Sequence, residues 1–183
     1  MIDLYTFLDE RRATLDALMT ELLVSEIREI EPIYFESATL LNSGLCNAIL
    51  KRLDQYVGNF IYRFELVNKE DIEKINADFK TFQLTNNLLT NNKSCNMLEF
   101  NNTNSKVLYI GYRQNNLKLR IQEHFGFENS RTAALHLKKW ISKDIKFKIT
   151  IYELDSQNPD FIKFIGRGLE DGLHPLFFKR IRP

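Results

Sequence analysis

Cysteine is scarce: Cys46 and Cys95 are the only two in 183 residues, they stand in unrelated contexts, and neither belongs to a CxxC pair. A disulfide-stapled secreted scaffold and a cysteine-rich zinc ribbon are thereby excluded, and two reduced thiols in a cytoplasmic protein are expected. Long apolar runs are missing as well. None approaches the roughly 18–20 residues needed to cross a bilayer. The opening stretch MIDLYTFLDERR is acidic and mixed, unlike a signal peptide. No membrane association is expected. Histidine is limited to His124, His136 and His174, too scattered for a zinc site. The P-loop, the glycine-rich dinucleotide fingerprint, the nucleophile elbow of the serine hydrolases and the HExxH zinc motif are all absent.

What is present is the make-up of a soluble globular protein, 44% hydrophobic and 27% charged, with a length that allows one ordinary domain or a core domain with an appendage. The net charge of +1 hides a split. Residues 1–105 hold 10 Lys and Arg against 16 Asp and Glu, whereas residues 106–183 hold 15 against 8. The C-terminal portion is therefore the one suited to face a polyanion.

Apolar periodicity predicts a long amphipathic helix over 3–30, stopped by Pro32, and a second over 37–56 with Ser37 as N-cap. NFIYRFELV, 59–67, alternates and reads as a strand. Helical spacing returns over 69–84, followed by an Asn-rich stretch, 86–104, read as loop with a short strand at 97–100. KVLYIGY, 106–112, is a second strand. NLKLRIQEHFG, 116–126, is a helix closed by Gly126, and SRTAALHLKKWI, 130–141, is another with Ser130 as N-cap. IKFKITIYEL, 145–154, is a third strand. NPDFIKFIGRGLEDGLHPLFF begins as a helix at Pro159 and stops at Pro175, before a basic tail carrying Lys179, Arg180 and Arg182. The expected architecture is α+β: a small, mostly antiparallel three-stranded sheet flanked by helices. Residues 1–57 form an N-terminal helical extension, and 58–183 form the main domain, with an insertion at about 68–105.

The polar residues that can carry chemistry sit at strand ends and on helix faces. Tyr62 and Tyr109 lie on the first two strands, and Gly111 closes the second. Arg120 and His124 are four residues apart and share one helix face. Glu170 borders the apolar stripe of the last helix. Taken singly, each is an ordinary core aromatic or surface polar residue.

Taken together, in this order, they resemble the GIY-YIG nuclease family over residues 58–183. YIG is present as Tyr109-Ile110-Gly111, NFIY at 59–62 resembles the GIY half, LKLRIQEHF resembles the family's Arg/His helix, and LEDGLHPLFFKR resembles its terminal Glu helix. About 40 residues separate the two tyrosine strands, which leaves a rival register with NML, 96–98, in the GIY place and Leu98 in place of the tyrosine. The resemblance implies hydrolysis of DNA phosphodiester bonds with one Mg²⁺ or Mn²⁺ held by Glu170, as in a restriction or genome-defence endonuclease. In that reading Arg120 stabilises the charge that develops on phosphorus, Tyr62 is the first choice as general base, Tyr109 and His124 assist, and Gly111 makes room for the phosphate. Arg113, Lys118, Arg131, Lys138, Lys139 and the tail would contact the DNA backbone. The N-terminal helices would pad the sheet, join two copies into a homodimer or bind another protein. The other reading is a catalytically inactive nucleic-acid-binding or protein-interaction module of the same fold.

Overall fold

The computed structural model describes residues 3–88, 95–101, 103–127, 132–142 and 144–178. In chain order these form α1 (Leu4–Val24), β1 (Ile27–Glu36), a 3-10 turn (Ser37–Leu41), α2 (Ser43–Arg52), β2 (Asn59–Leu66), α3 (Asp71–Asn87), β3 (Glu99–Phe100), β4 (Val107–Gln114), α4 (Leu117–Phe125), a 3-10 turn (Leu137–Lys139), β5 (Lys146–Leu154), α5 (Pro159–Leu173) and β6 (Phe177–Phe178). The main sheet runs β1-β5-β2-β4 with every neighbouring pair antiparallel, and β3 pairs with β6 separately. Among the described residues no helix is long and apolar enough to cross a membrane.

The α+β class is as expected, but the sheet has four strands rather than three. The extra strand is β1, drawn from a segment read as the end of the first helix. That helix stops at Val24, where Ser25 turns extended. Ile30, Ile33 and Phe35 then point into the core. Pro32 is tolerated because β1 is an edge strand, and its register shifts between Ile30 and Ile33 so that a bulge absorbs the missing N–H. Residues 27–53 are thereby joined to the main sheet and its core, whereas α1 stands largely outside it. The expected second helix divides in two, because Asn42 turns extended and caps α2 by accepting from the Leu45 N–H at 3.1 Å.

The two faces of the sheet bury different things. One face presents Phe60, Tyr62, Phe64, Tyr109, Phe147, Ile149 and Ile151 to α2, α3, α4 and the loop before β5. Each fully enclosed side chain there contributes roughly 1.5–3 kcal/mol. The other face presents Ile61 and Ile110 to Phe161 and Ile162 of α5 and Leu18 of α1. The insertion belongs to the first face: α3 sends Ile72, Ile75 and Phe79 into that core. The Asn86 amide ties the end of α3 to Cys95, donating to the Cys95 carbonyl at 3.1 Å and accepting from its N–H at 2.7 Å.

The helix expected over 130–141 is a second correction. Ser130, its expected N-cap, lies outside the described residues, and from 132 onward only one 3-10 turn forms. The reason is tertiary. The Leu135 N–H donates to His124 Nδ1 at 3.2 Å, and its carbonyl accepts from Trp140 Nε1 at 2.6 Å. His136 adopts φ +48°, and Ala134, Leu135 and Leu137 are all fully buried. A helix could satisfy neither pattern.

Candidate active site

β2 and β4 are neighbours in the sheet, and Tyr62 lies directly across from Gly111. The rival register is therefore not formed. Met97 makes only an isolated bridge to Ala134, and β3 pairs with β6. Gly111 is required by this pairing in a way the sequence does not reveal. A Cβ at that position would lie 2.3 Å from Tyr62 Oη and 2.4 Å from its Cζ. The missing side chain makes room for the tyrosine ring rather than for a phosphate.

α4 lies over this pair because Leu117, Ile121 and Phe125 are buried on its inner side, and Gly126 ends it at φ +93°. The same turn-to-turn spacing carries Arg120 and His124 inward. His124 Nε2 lies 3.1 Å from Tyr62 Oη. Arg120 donates through Nε to Tyr62 Oη at 3.2 Å and through Nη2 to Tyr109 Oη at 3.5 Å. Four of the five expected site residues thus fall in one hydrogen-bonded cluster that spans two strands and a helix.

The hydrogen bonds dictate where the protons are. His124 Nδ1 accepts from the Leu135 N–H, so the neutral ring carries its proton on Nε2 and donates it to Tyr62. Tyr62 then accepts twice, from His124 and from Arg120, and its ring packs against that of Tyr109 with centroids 6.2 Å apart. Tyr109 is the outer tyrosine of the two. Tyr62 is 0% exposed and Tyr109 5%.

Burial sets the ionisation of these groups. It raises the Tyr62 phenol far above its ordinary range, and the Tyr109 charge adds to this while Arg120 works against it. The Tyr109 phenol is also raised, first by burial, with Glu170 adding to it and Arg120 opposing. His124 is pushed well below its ordinary value by burial, helped by the Arg120 charge, and stays neutral. Arg120 stays charged, held so against its own burial by the two phenol oxygens and by Glu123.

Glu123 escaped the sequence reading. Its carboxylate receives Arg120 Nη1 at 2.6 Å, with side-chain exposures of 11% for Arg120 and 17% for Glu123. The available signal was its position three residues after Arg120 on the same helix. The Ala133 carbonyl takes a further Arg120 N–H at 3.0 Å.

Glu170 arrives from the other side of the sheet. α5 covers the Ile61 and Ile110 face, and the Glu170 charge it carries is felt at Tyr109. Glu170 is half-buried, and its acidity is weakened first by burial and then by Asp171, with Arg167 opposing. Among the described residues no hydrogen bond or ion pair engages the carboxylate. One hard carboxylate with water beside it suits Mg²⁺, which prefers few protein ligands. No group of three His, Cys, Asp or Glu side chains gathers among the described residues.

Among the described residues the basic side chains expected to meet DNA have separate surroundings. Arg113 is exposed and lines a half-open groove of about 300 Å³ with Tyr112, Pro159 and Lys163. Lys118 pairs with Asp54 at 2.7 Å beside a separate groove of about 250 Å³. Lys138 lies over the Phe127 ring at 4.2 Å, and Lys139 Nζ contacts Cys95 Sγ at 2.9 Å. Arg131 and the tail residues Lys179, Arg180 and Arg182 lie outside the described residues. Both cysteines are free and buried, and burial pushes the Cys46 thiol up to about 11. No family model, no curated protein and no solved structure matches this chain.

Proposed function

We propose that the chain is a divalent-metal-dependent endonuclease of GIY-YIG type that hydrolyses DNA phosphodiester bonds. The observation that supports this reading is the hydrogen-bonded cluster of Tyr62, Tyr109, Arg120 and His124, with Glu170 near enough to bear on Tyr109. These are the residues that the resemblance picks out across 108 positions of sequence (62 to 170), drawn from two strands and two helices.

The cluster suggests a division of labour that departs from the one expected. Tyr62 is enclosed, protonated and twice an acceptor, so it serves as the positioning residue that fixes Tyr109 and Arg120. Tyr109 is the phenol that meets a substrate. It either orients an attacking water or donates to a phosphate oxygen. Arg120 lies beside it with a permanent charge for the anion. His124 holds Tyr62 in place through Nε2–H. Glu170 would hold the Mg²⁺, which when bound polarises the phosphate and stabilises the leaving oxygen. Arg113, exposed beside the Lys163–Asp160 pair, would be the basic contact for the DNA backbone.

The test is cleavage of plasmid DNA with Mg²⁺ or Mn²⁺ by the wild type, Tyr109→Phe and Glu170→Ala. Metal-dependent nicking that is lost in both variants is expected. Absence of nicking by the wild type, on DNA and on RNA, would end the enzyme reading. A second reading, a DNA-binding module without catalysis, is favoured by one observation: four Arg120 donors are already engaged within the chain. That reading predicts salt-dependent DNA binding with no metal-dependent cleavage.

A further inference from the structure

Among the described residues, α1 presents the least satisfied surface. Of its 21 residues only Leu18 is buried. The helix is moored on that side, by Leu18 against the α5 core and by Glu21, which accepts from Ser156 Oγ at 2.5 Å. Next to this mooring line runs a face of Leu4, Tyr5, Leu8, Leu15, Met19, Leu22 and Leu23, all exposed, up to 76% for Tyr5 and 82% for Leu23. Together they leave on the order of 800 Å² of apolar surface to solvent, about what one partner contributes to a standard protein interface.

The spacing on this face says what covers it. Tyr5, Leu8, Arg12, Leu15, Met19 and Leu22 follow one another at alternating intervals of three and four, the pattern of a helix-pairing seam. The run reads the same from either end. An antiparallel copy therefore places Tyr5 opposite Leu22, Leu8 opposite Met19 and Arg12 opposite Leu15. The one charged seam residue is also provided for. Arg12 and Asp16 lean to the same flank, and in the antiparallel pair the Arg12 guanidinium faces the Asp16 carboxylate of the other copy, twice by symmetry. Among the described residues of the single chain Arg12 pairs with Asp9 alone, at 3.7 Å, with both side chains more than three-quarters exposed. Such a pair is weak and free to exchange. A parallel copy would set Arg12 against Arg12 in the seam. An anionic lipid surface is disfavoured because α1 carries four acids and two arginines.

We propose that α1 is the dimerisation element of this protein and that it pairs with α1 of a second copy, antiparallel, about a two-fold axis between Ala13 and Thr14. The interface is isologous, so each residue contact occurs twice and the pair closes without further growth.

The experiment is sedimentation of the full-length chain over a range of concentrations, with cross-linking to read orientation. The wild type is expected to reach twice the chain mass. Leu8→Lys/Met19→Lys is expected to weaken association by about 100-fold or more with the circular dichroism spectrum kept, because the seam side chains it changes are solvent-exposed in one copy. Arg12→Asp and Asp16→Arg should each weaken the dimer by about ten-fold alone, through like charges set opposite, and re-form a heterodimer when mixed. Leu8→Cys and Met19→Cys chains should oxidise to the mixed disulfide in preference to either homodimer. A protein that stays monomeric at every concentration overturns the proposal, and so does a dimer that survives Leu8→Lys/Met19→Lys. Preferential Leu8→Cys homodimers, or a monomer that binds anionic phospholipid vesicles through α1, would also overturn it.

Discussion

The two faces of the central sheet carry the two halves of the candidate site in opposite physical states. Under α4 the half made by Tyr62, Tyr109, Arg120 and His124 is closed: its hydroxyls, guanidinium and imidazole hydrogen-bond one another in a space almost free of solvent. On the α5 side Glu170 stands half in water, beside another acid, with its proton held more tightly than usual. A closed network of this kind stabilises the fold and fixes geometry. An open carboxylate that burial and Asp171 both disfavour is where an added cation would be felt. The difference separates what holds the site from what would bind there, and four measurements can break it or sharpen it.

The largest effect is expected from Arg120→Ala. It strands the Glu123 carboxylate and removes the donor shared by both tyrosines, so a loss of about 3–5 kcal/mol is expected. Urea denaturation measures it. Arg120→Ala/Glu123→Gln should recover part of that loss, because the stranded charge has gone. A cost below about 1 kcal/mol, the range of an exposed ion pair, would mean that the closed half is not a network. Gly111→Ala comes next. Its Cβ would meet the Tyr62 ring at 2.3–2.4 Å and Tyr109 Cε1 at 2.8 Å. The ring has nowhere to go, being fully buried, and a loss of about 1–3 kcal/mol is expected. The near-ultraviolet circular dichroism of the tyrosines should change with it. Gly168→Ala on α5, where an added Cβ meets nothing within 4 Å, is the control and should cost nothing.

The third measurement is stability against pH. His124 and His136 both have folded pKa values below 6.5, mainly through burial. The folded state therefore binds fewer protons than the unfolded one once the pH drops under that value. Their contribution is complete above pH 6.5 and is lost as the pH falls from there towards the folded values. The slope approaches about 1.4 kcal/mol per pH unit for each histidine in that window. Urea midpoints at pH 7.5, 6.5 and 5.5 should be nearly level over the first step and fall over the second. A flat profile through pH 5.5 would show that the closed half takes up protons without opening.

How far these features were legible in the sequence depended on whether local pattern and tertiary demand agreed. They agreed in β2, β4 and β5, where alternation matches the pleat, and at the ends of α4 and α5, where Gly126 and the Asn158-Pro159 pair do what their chemistry favours. They disagreed in β1, where Pro32 read as a helix stop but sits in a bulge of an edge strand. They disagreed again at 132–141, where good helix formers are held irregular by two tertiary hydrogen bonds to Leu135. The grouping of Tyr62, Tyr109, Arg120 and His124 was expected and is what the structure forms, but their order of exposure was not readable. Which tyrosine is sealed depends on Gly111 yielding its space to the ring across the strand, a pairing 49 residues distant in sequence (62 to 111). Glu123 was overlooked because an acid three residues from an arginine is ordinary on any helix surface. Only burial makes the pair consequential.

The smallest effect tests the open half, and its sign is opposite to the rest. The folded pKa of Glu170 is raised above 4.5, so the folded state holds its proton more tightly than the unfolded chain does. Its ionisation opposes folding: the stability it offers is present at low pH and is lost as pH rises through the folded value. At pH 7.5 Glu170→Gln removes the cost of holding a charge beside Asp171. It should therefore stabilise the protein slightly, by no more than about 0.5 kcal/mol since the group is half in solvent. Asp171→Asn should act in the same direction. The two part company when Mg²⁺ is added. A cation that binds only the folded state raises the melting temperature, by a stabilisation that grows with the logarithm of its concentration over its dissociation constant. Wild type and Asp171→Asn should show that rise, and Glu170→Gln should not. If Glu170→Gln is destabilising, the carboxylate is a structural ligand of the fold and the contrast between the two faces collapses. If it is stabilising but the Mg²⁺ response persists, the open half exists and the metal is held elsewhere.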